Sequence, residues 1–334
     1  MKVLVTGGTG YIGSHTCVQL LEQGYEVVII DNLINSKVEV VDKIEAITDK
    51  KIKFYEGDVC DKQLLTRVFK EEKIDAVIHF AGLKAVGESI KMPLRYYRNN
   101  IDSTLSLCEV MNEFNIKNVI FSSSATVYGT PEELPLKETS KIGGTTNPYG
   151  SSKLYIENML NDLYISDDDW NITILRYFNP VGSHDSGLLG ESPNGIPNNL
   201  MPYIVKVACG ELECLSIFGD DYETPDGTGV RDYIHVIDLA DGHVKALDKM
   251  QDNKGVSIYN LGTGNGYSVM DMVKTFEKVN KVKVAYKIVA RREGDIAECY
   301  ADSSKAYEEL GWKATRTLSD MVSSAYNYAI KNKK

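Results

Sequence analysis

The chain has 334 residues, 43% of them apolar and 25% charged, an ordinary globular composition with room for one large or two modest domains. Its net charge of −10 argues against a general nucleic-acid or anionic-membrane binder, although local arginines can still hold an anionic ligand. Cys17, Cys60, Cys108, Cys209, Cys214 and Cys299 contain no CxxC and no zinc spacing; with no apolar run near the ~18 residues of a membrane span, a reduced cytoplasmic protein without a metal site is expected.

The strand pattern Lys2-Val3-Leu4-Val5-Thr6 begins at residue 2, so no signal peptide is expected. Gly7-Gly8-Thr9-Gly10-Tyr11-Ile12-Gly13 follows at once, and Ser14 to Gln23 then carries Val18, Leu20 and Leu21 at helical spacing. Glycines at positions 7, 10 and 13 let the backbone turn sharply and approach a pyrophosphate at a helix N-terminus. A second strand, Glu26 to Ile30, ends in Asp31, 18 residues after Gly13. A carboxylate there accepts ribose hydroxyls and repels a 2′-phosphate, which points to NAD over NADP. A glycine turn without a ligand is the plainer reading, but it leaves the register of strand, glycines, helix and acid unexplained.

Further strands recur at Lys53 to Glu56, Ala76 to Phe80, Asn118 to Ser122 and Ile172 to Arg176. Helical patterns lie between them, near Val38 to Ile47, Gln63 to Glu72, Leu94 to Phe114 and Tyr149 to Tyr164. The alternation implies an α/β fold with a Rossmann-type, doubly wound parallel sheet. Ligands bind beyond the carboxyl ends of such strands, where Asp31, Asp58, Gly82 with Lys84, and Ser124 fall. Beyond Arg176 the pattern loosens: 182–200 and 219–229 are rich in Gly, Pro, Asn and Asp. A smaller, mixed α/β C-terminal substrate region is expected there. The division is interleaved: 1–177 with about 230–260 form the NAD-binding domain, and 178–229 with about 261–334 the substrate domain.

Tyr149 and Lys153 stand four apart on the helix after Pro148, so the phenol and the ammonium share a face. A cation beside a tyrosine favours the phenolate. Reaching neutrality from about 10 takes roughly 3 units, more than one ammonium supplies; a bound cationic nicotinamide and the Ser124 hydroxyl are expected to add the rest. The trio would then be a general base or acid for an alcohol hydroxyl. Tyr-x-x-x-Lys alone arises often by chance, and a serine at a strand end often only caps a turn. His15, His79 and His235 sit in apolar surroundings and read as structural. Arg291 reads as a surface ion-pair partner, and Asp167-Asp168-Asp169 as solvated.

These motifs resemble the extended short-chain dehydrogenase/reductase family, and within it the UDP-galactose 4-epimerase family. The resemblance spans the chain: Thr6 to His15, His79-Phe80-Ala81-Gly82-Leu83-Lys84-Ala85-Val86-Gly87-Glu88-Ser89, Phe121 to Gly129, Leu175 to Gly182, Pro197 to Tyr203, Thr228 to Val236 and Arg291-Arg292-Glu293-Gly294-Asp295. It implies permanently held NAD and no net redox change. Tyr149 takes the 4-hydroxyl proton through Ser124, Lys153 holds the nicotinamide ribose, and a 4-keto sugar turns over before hydride returns. On the cofactor side it implies Gly7, Gly10, Tyr11, Ile12, Gly13, Asp31, Asn32, Asn35, Ser36, Asp58, Val59, Phe80, Ala81, Gly82, Lys84, Asn99, Ser124, Tyr149, Lys153 and Phe178. For the UDP-sugar it implies Ser124, Tyr149, Asn179, Asn199, Leu200, Ser216, Phe218, Arg231, Arg292, Asp295 and Cys299. Arg231 and Arg292 suit the diphosphate, because arginine presents paired donors.

Two positions depart from the family. Restricted members carry tyrosine where this chain has Cys299, and members that accept N-acetyl sugars carry a small residue; the substitution implies N-acetylated UDP-sugars as further substrates. Ser103 stands where relatives commonly have glycine. The resemblance also implies a homodimer through the helices at 94–114 and 149–164. A dehydratase on this fold needs an acid and a base beside Ser124, where Ala125 and Thr126 follow instead. A non-enzymatic NAD sensor would have no need of Ser124, Tyr149 and Lys153 together.

Overall fold

The computed structural model describes residues 1–193, 195, 197–250, 254–292 and 294–333. In its first half, strands and helices alternate: β1 (Lys2–Thr6), α1 (Tyr11–Glu22), β2 (Glu26–Asp31), α2 (Glu39–Thr48), β3 (Lys53–Glu56), α3 (Lys62–Glu72), β4 (Ala76–His79), α4 (Val86–Lys91), α5 (Pro93–Glu113), β5 (Asn118–Ser124), α6 (Pro148–Ser166) and β6 (Asn171–Tyr177). The second half holds β7 (Asn179–Val181), α7 (Leu200–Ala208), β8 (Leu215–Phe218), β9 (Val230–His235), α8 (Val236–Met250), β10 (Gly255–Leu261), β11 (Gly266–Ser268), α9 (Val269–Asn280), β12 (Tyr286–Val289), β13 (Glu298–Cys299), α10 (Ser304–Leu310) and α11 (Leu318–Lys331).

A seven-stranded parallel sheet runs β10-β6-β5-β4-β1-β2-β3. Its central strands are buried on both faces, as they must be when helices cover both. Side chains alternate between the two faces. Val3, Val5, Ile29 and Ile78 pack with Cys17 and Leu20 of α1 and Leu239 and Leu247 of α8. Leu4, Val28, Ile30 and Val77 pack with Leu65 of α3, Leu107 of α5 and Ile156 of α6. A third core joins α7, β8, α9 and α11 through Ile204, Ile217, Phe276 and Met321.

Several features depart from the sequence reading. The helix after the glycine turn starts at Tyr11, earlier than the apolar pattern, so that Gly13 lies inside it. A separate α4 precedes α5; Pro93, which has no N–H to donate, opens α5. β9 was expected with the large sheet, yet it pairs with β7, β11 and β13; α8 and β10 after it return to the large sheet's layers. β9 ends at His235 and α8 starts at Val236, so one continuous stretch passes from the small sheet to the large sheet's layers. Ala306, Leu310 and Trp312, expected in the substrate region, fill the first core. The acidic run is not merely solvated: Asp167 pairs with Lys117, and Asp169 with Lys254 at 3.3 Å. Ser103 is accommodated inside α5, its hydroxyl donating to the Asn100 carbonyl at 3.1 Å.

Candidate active site

The glycine turn is built for close approach. Gly7 adopts φ +70°, and a β-carbon on Gly13 would stand 2.3 Å from the Gly7 carbonyl oxygen. Among the described residues no side chain caps the α1 N-terminus behind Gly10, which leaves first-turn N–H groups facing outward, as an anion requires. The turn lies where the strand order reverses between β1 and its neighbours β2 and β4. Asp31 ends β2 and is buried; its carboxylate accepts from the Thr9 N–H at 3.1 Å, the Leu33 N–H at 2.9 Å and the Ser36 hydroxyl at 3.1 Å. Asn35 lies on the same turn. Asn32 donates to Asp58 at 3.0 Å. Although burial opposes it, the Cys60 N–H and the Asn32 amide hold the Asp58 carboxyl below its usual range. Val59 is buried behind it.

After β4, the Ala81 N–H donates to the Thr6 hydroxyl at 3.2 Å, and Asn100 brackets Leu83 with bonds of 2.8 and 3.0 Å. These fix Phe80, Ala81 and Gly82 along the strand ends, while Asn99 presents its carbonyl to the Cys60 thiol. Tyr11 donates to the Gly182 carbonyl at 2.7 Å, and Lys84 lies 5.8 Å from the Tyr11 ring centre. Ile12 packs against the first core, and Phe178 is buried where β6 ends. The set fits a dinucleotide: glycine cradle, uncapped helix end and ribose carboxylate face one edge.

Tyr149 sits in the first turn of α6, where Asn147 caps the Gly150 N–H at 2.9 Å and Pro148 opens the helix. Ser124, the last residue of β5, accepts from the Thr126 N–H at 3.2 Å and the Thr126 hydroxyl at 3.0 Å. The Ser124 hydroxyl also faces the influence of Tyr149, whose phenolate it favours. Burial raises the Tyr149 pKa, and the Ser124 bond only partly offsets it. Lys153 lies one turn further along α6. Its ammonium donates to the Ser122 carbonyl at 2.6 Å and lies 5.9 Å from the Tyr149 ring centre. Burial pushes Lys153 down to about 8, against the pull of Glu157 one turn further along α6.

Beneath this trio lies a buried polar network. Arg176 binds both Glu157 oxygens at 3.1 and 2.7 Å, Ser123 donates to the same carboxylate, and Arg176 also reaches the Tyr128 hydroxyl at 3.0 Å. Tyr177 donates to His243 Nε2, whose Nδ1–H is committed to the Leu239 carbonyl; the His243 ring lies 4.8 Å from Phe80. The histidines read as structural are similarly enclosed. His79 bridges Thr6 and Thr104, and burial lowers His15, His79 and His235 to about 3.

In the second half of the chain, Arg292 lies 4.8 Å over the Phe218 ring and grips Asp295 at 3.0 and 3.1 Å. Arg291 pairs with Asp221 at 2.7 Å. Arg231 is the register partner of Cys299, and its guanidinium donates to the Val230 carbonyl at 2.8 Å. Cys299 packs on the cluster of Val127, Tyr128 and Phe178 just past Ser124; burial pushes its thiol up to about 11. Asn199 precedes Leu200 at the start of α7 and donates to Glu191 at 2.6 Å. Asn179 opens β7, and Ser216 lies on β8 two residues before Phe218. Glu293, within the resembling Arg291–Asp295 segment, lies outside the described residues.

Among known proteins, a family model described as GDP-mannose 4,6 dehydratase matches residues 4–325. The UDP-glucose 4-epimerase of Bacillus subtilis is 57% identical over 332 residues, covering 99% of this chain and 98% of its own. The chain belongs to the UDP-glucose 4-epimerase family. A crystal structure of such an epimerase from Bifidobacterium longum, in complex with NAD+ and UDP, superposes with a TM-score of 0.97 at 58% identity over 99% of both chains. The UDP-Glc/GlcNAc 4-epimerase of Campylobacter jejuni follows at 0.86 and 36% identity, again over 99% of both chains.

Within this epimerase framework, sequence reasoning passed over Thr126, Glu157, Arg176 and Glu191. Glu157 was legible in principle, four residues beyond Lys153 on the same helical face. Glu191 was not: its carboxylate joins Asn199 to Lys84, the latter at 3.7 Å, only because the loop folds back.

Proposed function

We propose that this chain interconverts UDP-glucose and UDP-galactose by inverting C4 of the sugar, with NAD as its resident cofactor. The observation that carries the reading is the trio itself: Ser124 ends β5 at the carboxyl edge of the sheet, and Tyr149 and Lys153 stand one turn apart on the buried start of α6. Gly7, Gly10, Tyr11, Ile12 and Gly13 would receive the pyrophosphate, Asp31 the adenosine ribose, and Lys153 the nicotinamide ribose. Bound NAD supplies the acceptor for the C4 hydride and a positive ring that favours the phenolate. Tyr149 takes the 4-hydroxyl proton and later returns it. Ser124, held by its two bonds from Thr126, donates to the developing phenolate. Arg231 and Arg292 hold the diphosphate while the sugar turns in front of Tyr149. Purified protein given UDP-galactose should form UDP-glucose in a coupled assay without steady growth of reduced-nicotinamide absorbance. No turnover by NAD-loaded protein would overturn the reading.

The pocket wall at Cys299 supports a wider substrate range. A cysteine leaves space that a tyrosine would fill, and an acetamido group needs that space when the sugar turns. The chain is therefore expected to epimerise UDP-N-acetylglucosamine and UDP-N-acetylgalactosamine as well. Cys299→Tyr should abolish this reaction and leave the UDP-glucose reaction standing, as read by proton NMR of the product pools; a wild-type protein inert toward the N-acetyl sugar would refute it.

The sheet memberships support an interleaved division into cofactor and substrate domains, with β9 in the smaller sheet. Among the described residues no helix is long and apolar enough to cross a membrane; a cytoplasmic homodimer is our reading. Leu94 and Leu105 on α5 and Tyr155 and Ile165 on α6 are exposed apolar side chains that a second copy would cover. Sedimentation should show a dimer.

A further inference from the structure

Thr126 stands two residues beyond Ser124, in the short 3-10 turn Ala125–Tyr128 that follows β5. Its backbone N–H donates to Ser124 Oγ at 3.2 Å, and its side-chain hydroxyl donates to the same oxygen at 3.0 Å. The far end of the residue is fixed too, since the Thr126 carbonyl accepts from the Gly129 N–H at 3.2 Å. The side chain also meets the first turn of α6. A β-carbon on Gly150, the residue after Tyr149, would stand 3.2 Å from both Cβ and Oγ1 of Thr126. Thr126 is thus wedged between the serine and the turn that carries the phenol, and glycine at 150 lets it sit that close.

Bond capacity decides what the serine can do. A hydroxyl has one proton to give and two lone pairs that accept. Thr126 occupies both lone pairs of Ser124, so the bond that remains to the serine is the one it donates. A donor-only serine stabilises a developing oxyanion. It does not take the proton of a sugar hydroxyl, so a relay from sugar to serine to tyrosine is closed to it. Accepting two bonds also polarises the serine O–H and strengthens the bond it gives. The backbone N–H would be present whatever residue stood at 126. The side-chain hydroxyl is the part that the sequence chooses, and it fills the second lone pair.

We propose, on the footing of the epimerase reading above, that Thr126 is a positioning residue of the reaction: its hydroxyl makes Ser124 a donor only, so that the 4-hydroxyl proton passes directly to Tyr149. The sugar O–H bond breaks as the phenol O–H bond forms, and Ser124 keeps its own proton throughout. Thr126→Val removes the hydroxyl and keeps both the backbone bond and the shape against Gly150. Turnover of UDP-galactose by NAD-loaded variants tests it, beside UDP titration and melting. Thr126→Val should lower kcat about two- to tenfold, the span of a single neutral hydrogen bond, with KM, UDP affinity and melting temperature kept. Thr126→Ser, which retains the hydroxyl, should keep the wild-type kcat. Because Thr126 acts through the serine, Thr126→Val added to Ser124→Ala should lower kcat no further than Ser124→Ala alone. A relay serine predicts the reverse, because valine would free a lone pair to accept the sugar proton. A Thr126→Val protein as fast as wild type or faster would therefore overturn the inference. So would a Thr126→Ser protein as slow as Thr126→Val, or a double variant whose loss is the product of the two single losses. Wild-type protein without turnover would overturn the epimerase reading and this inference with it.

Discussion

Replacing Tyr149 by phenylalanine is expected to lower kcat by about 10²–10⁴-fold, the span of general acid–base catalysis, and to leave UDP binding and stability unchanged. The ring keeps its place, because Asn147 and Pro148 set the first turn of α6 without the phenol. Ser124 keeps both bonds from Thr126. The loss should therefore appear in kcat and kcat/KM alike, the mark of an interaction made in the transition state. The pH profile follows from the neighbouring cation. Lys153 must be protonated to favour the phenolate, and in the chain alone burial has brought it down to about 8. A bound positive ring can only move it lower. Activity should therefore fall as pH rises through about 8 or below, and Lys153→Met should be slow across the whole range. A Tyr149→Phe protein within a few-fold of wild-type kcat would remove the phenol from the chemistry.

The parts of this site that sequence discloses are those made by neighbours along the chain. The β1–turn–α1–β2 unit is visible because its glycines, its period-2 apolar run and Asp31 lie within 31 residues. Tyr149 and Lys153 are visible because a helix turns position i+4 onto the face of position i. The bond from Lys153 to the Ser122 carbonyl is not, since its acceptor is backbone and any residue supplies one. The location of β9 depends on which distant strands it meets, and an apolar strand carries no mark of its partners. α4 hid because its 6 residues are too few for a helical period to declare itself. Arg176 reads as a strand residue until the parallel register sets it beside Ser123, which places its side chain over Glu157.

That pairing makes Glu157 the residue whose loss should cost the fold most among those outside the chemistry. Glu157 and Arg176 are both almost wholly enclosed, with side-chain exposures of 4% and 2%. Glu157→Ala would leave a buried guanidinium with no counter-charge, a change that destabilises by about 3–5 kcal/mol. A lowered urea midpoint would record it. Replacing both partners, as Glu157→Gln with Arg176→Met, should restore much of the loss, because the cost lies in the unpaired charge and not in the missing bond. The carboxylate has a second effect that this repair does not restore. It is the charge that holds Lys153 up against burial, so without it Lys153 releases its proton at lower pH. The alkaline fall in activity should therefore shift to lower pH in Glu157→Gln and persist in the repaired double variant. A stable double variant with the wild-type profile would make Glu157 a purely structural partner of Arg176. A shifted profile would show that the network under β5 sets how long the phenolate's cation stays charged.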